Sequence, residues 1–143
     1  MPREAFLEAL PRLYGRVPDR AILRAWHYFD ENERVKTAVR TLEAGDFDGF
    51  LACINGSGDS SWKYLQNCYC GAAQQCCVAL ALAKELLAGR GAVRVHGGGF
   101  GGTILAFVPD EQTADFITRM DAVFGTGACD RLYIRPIGAT KVF

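Results

Sequence analysis

The sequence lacks an excess of either charge: sixteen Lys and Arg stand against sixteen Asp and Glu in 143 residues. A chain that binds nucleic acid shows a basic surplus or a basic stripe. Neither is visible, so nucleic acid is not an expected partner. Long apolar runs are also lacking. None approaches the roughly 20 residues that a membrane-crossing helix needs, so no membrane partner is expected. The opening Met1-Pro2-Arg3-Glu4 brings an acid early and lacks the apolar core of a signal peptide. The expected location is therefore cytoplasmic. Repeats, low-complexity tracts and internal domain boundaries are missing as well. What is present is an ordinary globular balance, 50% hydrophobic and 22% charged, which argues against disorder. A chain of this length is expected to form one domain over residues 1–143, burying about two-thirds of its unfolded surface.

The six cysteines need weighing. Cys68, Cys70, Cys76 and Cys77 fall close together, with Cys53 and Cys129 apart. Zinc ribbons use paired C-x2-C elements, and this cluster has C-x-C and an adjacent pair instead. Reduced structural thiols are expected, and no metal site is assigned.

Hydrophobic spacing predicts a helix over Pro2–Leu13, broken by Gly15 and Pro18, and a long helix from about Arg20 to Ala44. The face of the long helix is Ile22, Trp26, Phe29, Val35, Ala38, Val39 and Leu42, and Gly45 stops it. Asp30, Glu31 and Glu33 lie on its polar side and read as solvated. Asp46 is placed to cap a shorter helix through Phe47, Phe50 and Leu51, and Gly56–Ser61 reads as a loop or an interrupted helix. A further helix over Ala73–Ala88 presents Cys76, Ala79, Leu80, Ala83 and Leu87. Strands follow at Val93–His96 and Thr103–Val108. After them comes a helix capped by Asp110, with Ala114, Ile117, Met120, Val123 and Phe124 in register. Leu132–Arg135 reads as a third strand and Lys141–Phe143 as a short terminal one. Helices first and then strands interleaved with a helix predict an α+β fold, a two-layer domain with helices covering an antiparallel sheet.

The most informative segment is Gly97-Gly98-Gly99-Phe100-Gly101-Gly102. Five glycines free the backbone to reach positive φ, and successive N–H groups in such a loop can form an anion-binding nest. Gly97, Gly99 and Gly102 match G-x-G-x-x-G by spacing, but a strand follows where the dinucleotide fingerprint requires a helix. A Walker A loop would need a Lys directly after the glycines, and none is there. Spacing alone leaves two readings open, a phosphate cradle and a tight hairpin whose glycines relieve crowding. Phe100 is either a ligand contact or an anchor for that hairpin. His96 is either a hydrogen-bonded structural group or a cleft residue. Ser57, Ser60 and Ser61 either meet phosphate or cap and solvate a turn.

The stretch Gly91-Ala92-Val93-Arg94-Val95-His96, the glycine run and Thr103-Ile104-Leu105-Ala106-Phe107-Val108-Pro109 resemble the third signature of galactokinases, members of the GHMP family of small-molecule kinases. Arg24–Val35, Leu42–Phe47 and Asn55–Ser61 are similar to the family's preceding segments, so that the resemblance runs from about residue 20 to the end. It implies the carboxy-terminal domain alone, a ferredoxin-like variant. The amino-terminal lobe, with its sugar signature, serine-rich nucleotide loop and catalytic aspartate, has no counterpart here. It also implies that Gly97, Gly98, Gly99, Phe100, Gly101 and Gly102 line the cleft between lobes, with His96, Ser57 and Ser60 as further cleft-lining candidates and no catalytic residue in this chain. Departures stand at Gly58, where the family has His, at Gln74-Gln75, where it has acids, and at Thr103, where it often has Cys. They mark a divergent subgroup and leave the sugar open.

The function implied is that of a galactokinase, transferring phosphate from ATP with Mg2+ to galactose in an intact enzyme. The isolated chain is expected to be inactive and to hold no cofactor tightly. The expected partners are the amino-terminal lobe, the sugar and ATP, with self-association through the uncovered lobe surface. Two alternatives stand beside this, a non-enzymatic binding or regulatory module and a GHMP kinase for another small molecule.

Overall fold

The computed structural model describes residues 2–134, 136–138, 140 and 141. Its helices are α1 (Arg3–Leu13), α2 (Asp19–Glu43), α3 (Phe47–Ser60), α4 (Gln75–Leu87) and α5 (Thr113–Phe124). Between α4 and α5 lies an antiparallel pair, β1 (Ala92–Val95) and β2 (Ile104–Phe107), in the register Ala92↔Phe107 to Val95↔Ile104. The fold is α+β, a helix-rich layer on a two-stranded antiparallel sheet.

The core sits where α4 and α5 cover one face of the hairpin. Cys77, Leu80, Ala83 and Leu87 recur at helical spacing along α4 and meet Val93 and Val95 of β1 with Phe116 and Met120 of α5. Each fully buried Val, Leu, Phe or Met contributes about 1.5–3 kcal/mol of hydrophobic stabilisation. On α5 the buried pair is Phe116 and Met120, whereas Val123 is exposed. The apolar stripe is therefore rotated from the one that the sequence spacing suggests. On α2, Ile22, Trp26, Phe29 and Ala38 are half-buried, while Val35, Val39 and Leu42 are exposed, because no element of the described residues covers that end.

Three local expectations are corrected. Of the two readings of Gly56–Ser61 the loop fails and the interrupted helix is the nearer: α3 runs through it to Ser60 and continues as a π-helical turn, Ser61–Leu65, which ends in left-handed Gln66 at φ 57°. Asp46 does cap α3, its carboxylate accepting from the Gly49 amide at 2.8 Å. Asp110 caps nothing with its side chain; a short 3-10 turn, Asp110–Gln112, precedes α5. Its carboxylate pairs with Arg131 at 2.8 Å.

That ion pair bears on the third correction. Leu132, Tyr133 and Ile134 are in no strand among the described residues, and their side chains are largely exposed. Asp121 accepts from the amides of Gly127 and Ala128, and Arg131 reaches back to the 3-10 turn ahead of α5 while lying 5.2 Å from the Tyr133 ring centre. These contacts hold the segment against α5. Arg135 and the end of the proposed terminal strand, Val142 and Phe143, lie outside the described residues.

One side chain fixes how far the sheet extends. His96 donates its amide to Thr103 at 2.9 Å, so the even-numbered residues of β1 turn their backbone groups toward β2. Val93 N and Gly91 O therefore point to the opposite edge. There Asn55 of α3 takes both: its Oδ1 accepts from Val93 N at 3.1 Å and its Nδ2 donates to Gly91 O at 3.0 Å. A single amide thus replaces a neighbouring strand on that edge.

Candidate functional site

The glycine loop joins β1 to β2 and lies outside the helical layer. Gly97, Gly98, Phe100, Gly101 and Gly102 are exposed, with Gly99 half-buried. The backbone is left-handed at Gly97, Gly99 and Gly101, with φ of 60°, 79° and 93°, and also at Phe100, with φ 56°. A non-glycine residue in that region is uncommon and marks a position that its surroundings over-determine. The Phe100 ring is half exposed, at 52%, so its backbone rather than ring burial holds it.

The holding contacts come from the segment after the π-helical turn. Phe100 N donates to Asn67 O at 2.6 Å, and Asn67 Nδ2 donates to Gly98 O at 3.2 Å. Gly102 N closes onto Gly99 O at 3.2 Å, and Cys76 Sγ donates to Gly102 O at 3.5 Å. A Cβ on Gly99 would run into the Asn67 carbonyl, so glycine is required there by close approach as well as by φ. With Phe100 N and Gly102 N engaged, the amides of Gly97, Gly98, Gly99 and Gly101 have no acceptor among the described residues. Unpaired backbone donors in a left-handed loop suit an anion.

The other candidates stand elsewhere. His96 is exposed and closes the hairpin with its amide. Ser57 and Ser60, each 3% exposed, lie in the seam between α3 and α2. Ser57 Oγ donates to Glu31 Oε2 at 2.6 Å, and the other Glu31 oxygen accepts from Arg34. Ser60 Oγ and His27 Nδ1 share a hydrogen bond of 2.9 Å. Both serines thus engage α2 and bond to no loop residue. Glu31 is half-buried in this network, contrary to its expected solvation, because Ser57 and Arg34 satisfy it. Burial, then the nearby Arg34 and Arg94 charges, hold the His27 imidazole below its ordinary pKa.

Four residues that the sequence reading passed over matter here: His27, Asn55, Asn67 and Arg94. His27 and Glu31 are four apart on one helix face, opposite Ser57 and Ser60 three apart, a matched spacing that could have been found. Arg94 is half-buried beneath α3, its Nε donating to Val95 O at 3.1 Å. Gly58 permits that approach, since a Cβ there would lie 2.7 Å from Val93 O and 3.3 Å from the Arg94 Cα. Asn55 opens the family-like segment Asn55–Ser61, whereas no sequence signal marks Asn67.

Burial, followed by the neighbouring Cys77 and Cys76, pushes the Cys68 thiol up to about 11, and burial raises Cys77 and Cys129 too. Thiols so raised stay protonated at neutral pH and are poor nucleophiles. All six cysteines are unpaired, and Cys70 is the exposed one. Among the described residues no three His, Cys, Asp or Glu gather into a group suited to a metal ion, and no helix is long and apolar enough to cross a membrane.

Comparison with known proteins places residues 38–120 on the family model described as GHMP kinases C terminal. The galactokinase of Actinobacillus pleuropneumoniae is 33% identical over 109 residues, which is 76% of this chain and 27% of that protein. The galactokinase of Haemophilus influenzae (strain ATCC 51907 / DSM 11121 / KW20 / Rd) is 33% identical over 110 residues, 77% of this chain and 26% of its own length. That of Mannheimia succiniciproducens is 32% identical over 95 residues. The chain spans about a quarter of the length of the curated relatives it matches.

Proposed function

The chain belongs to the GHMP kinase family through its C-terminal domain, and from that premise we propose that it forms the carboxy-terminal part of a galactokinase-like sugar kinase. The observation that carries the reading is the largely exposed loop Gly97–Gly102, four of whose amides have no acceptor among the described residues. In an intact enzyme, ATP with Mg2+ supplies the phosphoryl group that passes to the sugar's anomeric hydroxyl. The amides of Gly97, Gly98, Gly99 and Gly101 fit such a group, because oriented N–H donors stabilise charge that builds on phosphate oxygens during transfer. Phe100, half exposed on the loop's rim, limits water at that point. His96 stands at the loop's entry and lines the cleft. Ser57 and Ser60 act from behind, fixing α3 and so the edge of β1.

Among the described residues His96 is the one titratable side chain directly flanking the loop in sequence, and we assign it no catalytic role. In this reading, which rests on the likeness to galactokinases, base and metal ligands are assigned to an amino-terminal lobe, and the chain by itself is expected not to turn over. The exposed Val35, Val39 and Leu42 and the unpaired edge of β2 are surfaces for that lobe and, without it, for self-association. A cytoplasmic location accords with this activity.

Two measurements test the reading on the 143-residue chain. Inorganic pyrophosphate should shift the amide resonances of Gly97–Gly101 in an NMR titration, and a silent loop would sink the cradle. An assay with ATP and galactose should show no turnover. An enzyme-like rate would refute the division of labour between lobes, and pyrophosphate binding with no kinase activity in any longer form of the protein would favour a binding module.

A further inference from the structure

We infer that Asn67 is a positioning residue that holds the glycine loop in its left-handed form, and that the fold retains it against its own stability. Asn67 is 3% exposed and touches the loop twice, through its carbonyl to Phe100 N and through Nδ2 to Gly98 O. The two contacts bracket Gly99, the position where any Cβ would strike the Asn67 carbonyl. Together they fix three consecutive residues, two of them left-handed.

The remaining atom of the same side chain tells the other half. Asn67 Oδ1 is buried and has no hydrogen-bond partner among the described residues. A buried acceptor left unpaired costs stability, and an apolar side chain of the same shape would avoid that cost. Leucine is such a side chain. Its substitution would release Gly98 O, and Gly98 is exposed, so that carbonyl would regain water. The amide therefore adds little or nothing to the fold's stability while giving the loop its one side-chain tether from this segment.

The approach to Asn67 is shaped to the same end. The π-helical turn Ser61–Leu65 inserts an extra residue per turn, and left-handed Gln66 then reverses the chain toward the loop. Arg20 Nη2 donates to Gln66 O at 3.3 Å and ties that reversal to α2. Such π-turns recur where a helix must deliver one residue out of its regular path.

The grip on the loop stands on geometry alone, whereas its service to phosphate rests on the function proposed above. The experiment separates the two. In Asn67→Leu, the thermal midpoint should equal or exceed that of the parent chain, while hydrogen exchange at Phe100 and Gly102 rises at least about tenfold relative to α4 amides. Asn67→Ala should loosen the loop equally. A variant that unfolds, or one in which loop exchange rises only in step with α4, would make Asn67 an ordinary core residue and overturn the inference. Pyrophosphate should bind Asn67→Leu at least about threefold more weakly than the parent. Equal binding by both would overturn the positioning role. No response from either would sink the phosphate reading, leaving exchange and midpoint to judge the grip.

Discussion

Gly99 concentrates the demands placed on single residues in this chain. Its φ of 79° is closed to most side chains, and the Asn67 carbonyl occupies the space of its missing Cβ. Gly99→Ala should therefore cost about 1–3 kcal/mol in urea denaturation and abolish the slow exchange of the Phe100 amide. An alanine variant with parental stability would mean that the loop relaxes freely and is not gripped. His27 makes a second demand of this kind. Desolvation, with Arg34 and Arg94 in support and Asp30 opposing, lowers its pKa in the folded chain. The unfolded chain then takes up the proton first as pH falls. The stability held by neutral His27 is complete above the ordinary histidine value of about 6.5 and drains away as pH drops through it toward the folded value. Thermal midpoints measured across that window should fall for the parent and fall less for His27→Gln. Parallel slopes would remove His27 as the sensor.

At the scale of elements, α3 is the organising piece. It carries Asn55 against β1, Gly58 beneath Arg94, and Ser57 and Ser60 against α2. Asn55→Ala removes both bonds to the strand edge and should cost about 1–3 kcal/mol by chemical denaturation. Asn55→Asp keeps the acceptor for Val93 N and loses the donor to Gly91 O, so it should fall between. A loss below about 0.5 kcal/mol for Asn55→Ala would show water serving that edge as well as the amide does. Apolar period made α1, α2, α4 and the two strands readable from sequence to within a few residues, as did the acidic cap at Asp46. The length of α3 was not readable. Glycine and serine at Gly56–Ser61 disfavour a helix locally, and only packing reverses that preference: small residues are what let α3 lie flush on β1 and α2. The stripe of α5 was misplaced for a similar reason, since its burial is set by where α4 sits. Leu132–Ile134 has strand-type residues, but the bonds of Gly127, Ala128 and Arg131 to Asp121 and Asp110 carry the segment along another path, which composition cannot report. The site divides in the same way. The loop announced itself through its glycines, whereas Asn67 grips it through backbone geometry that no spacing records.

At the scale of the whole molecule, the sheet is unfinished on one side. The outward groups of β2, at Ile104 and Ala106, have no partner among the described residues, and Thr103–Val108 carries no charge to discourage pairing. A hairpin of two strands is marginal in water, and here α3 packs along β1 while α4 lies against both strands. Sedimentation of the 143-residue chain should show weight-average mass rising with concentration, and Ile104→Lys should suppress that rise. A strictly monomeric parent would show that the edge is shielded in solution.

Asn55 gives this open sheet a direction. Because one border is sealed from within by a helix, any additional ribbon has a single berth, beside β2, and the sealed border cannot accept one by mistake. Without α3 the hairpin would offer unpaired groups on both flanks, so it is the helix, and not the strand residues themselves, that decides which side stays open.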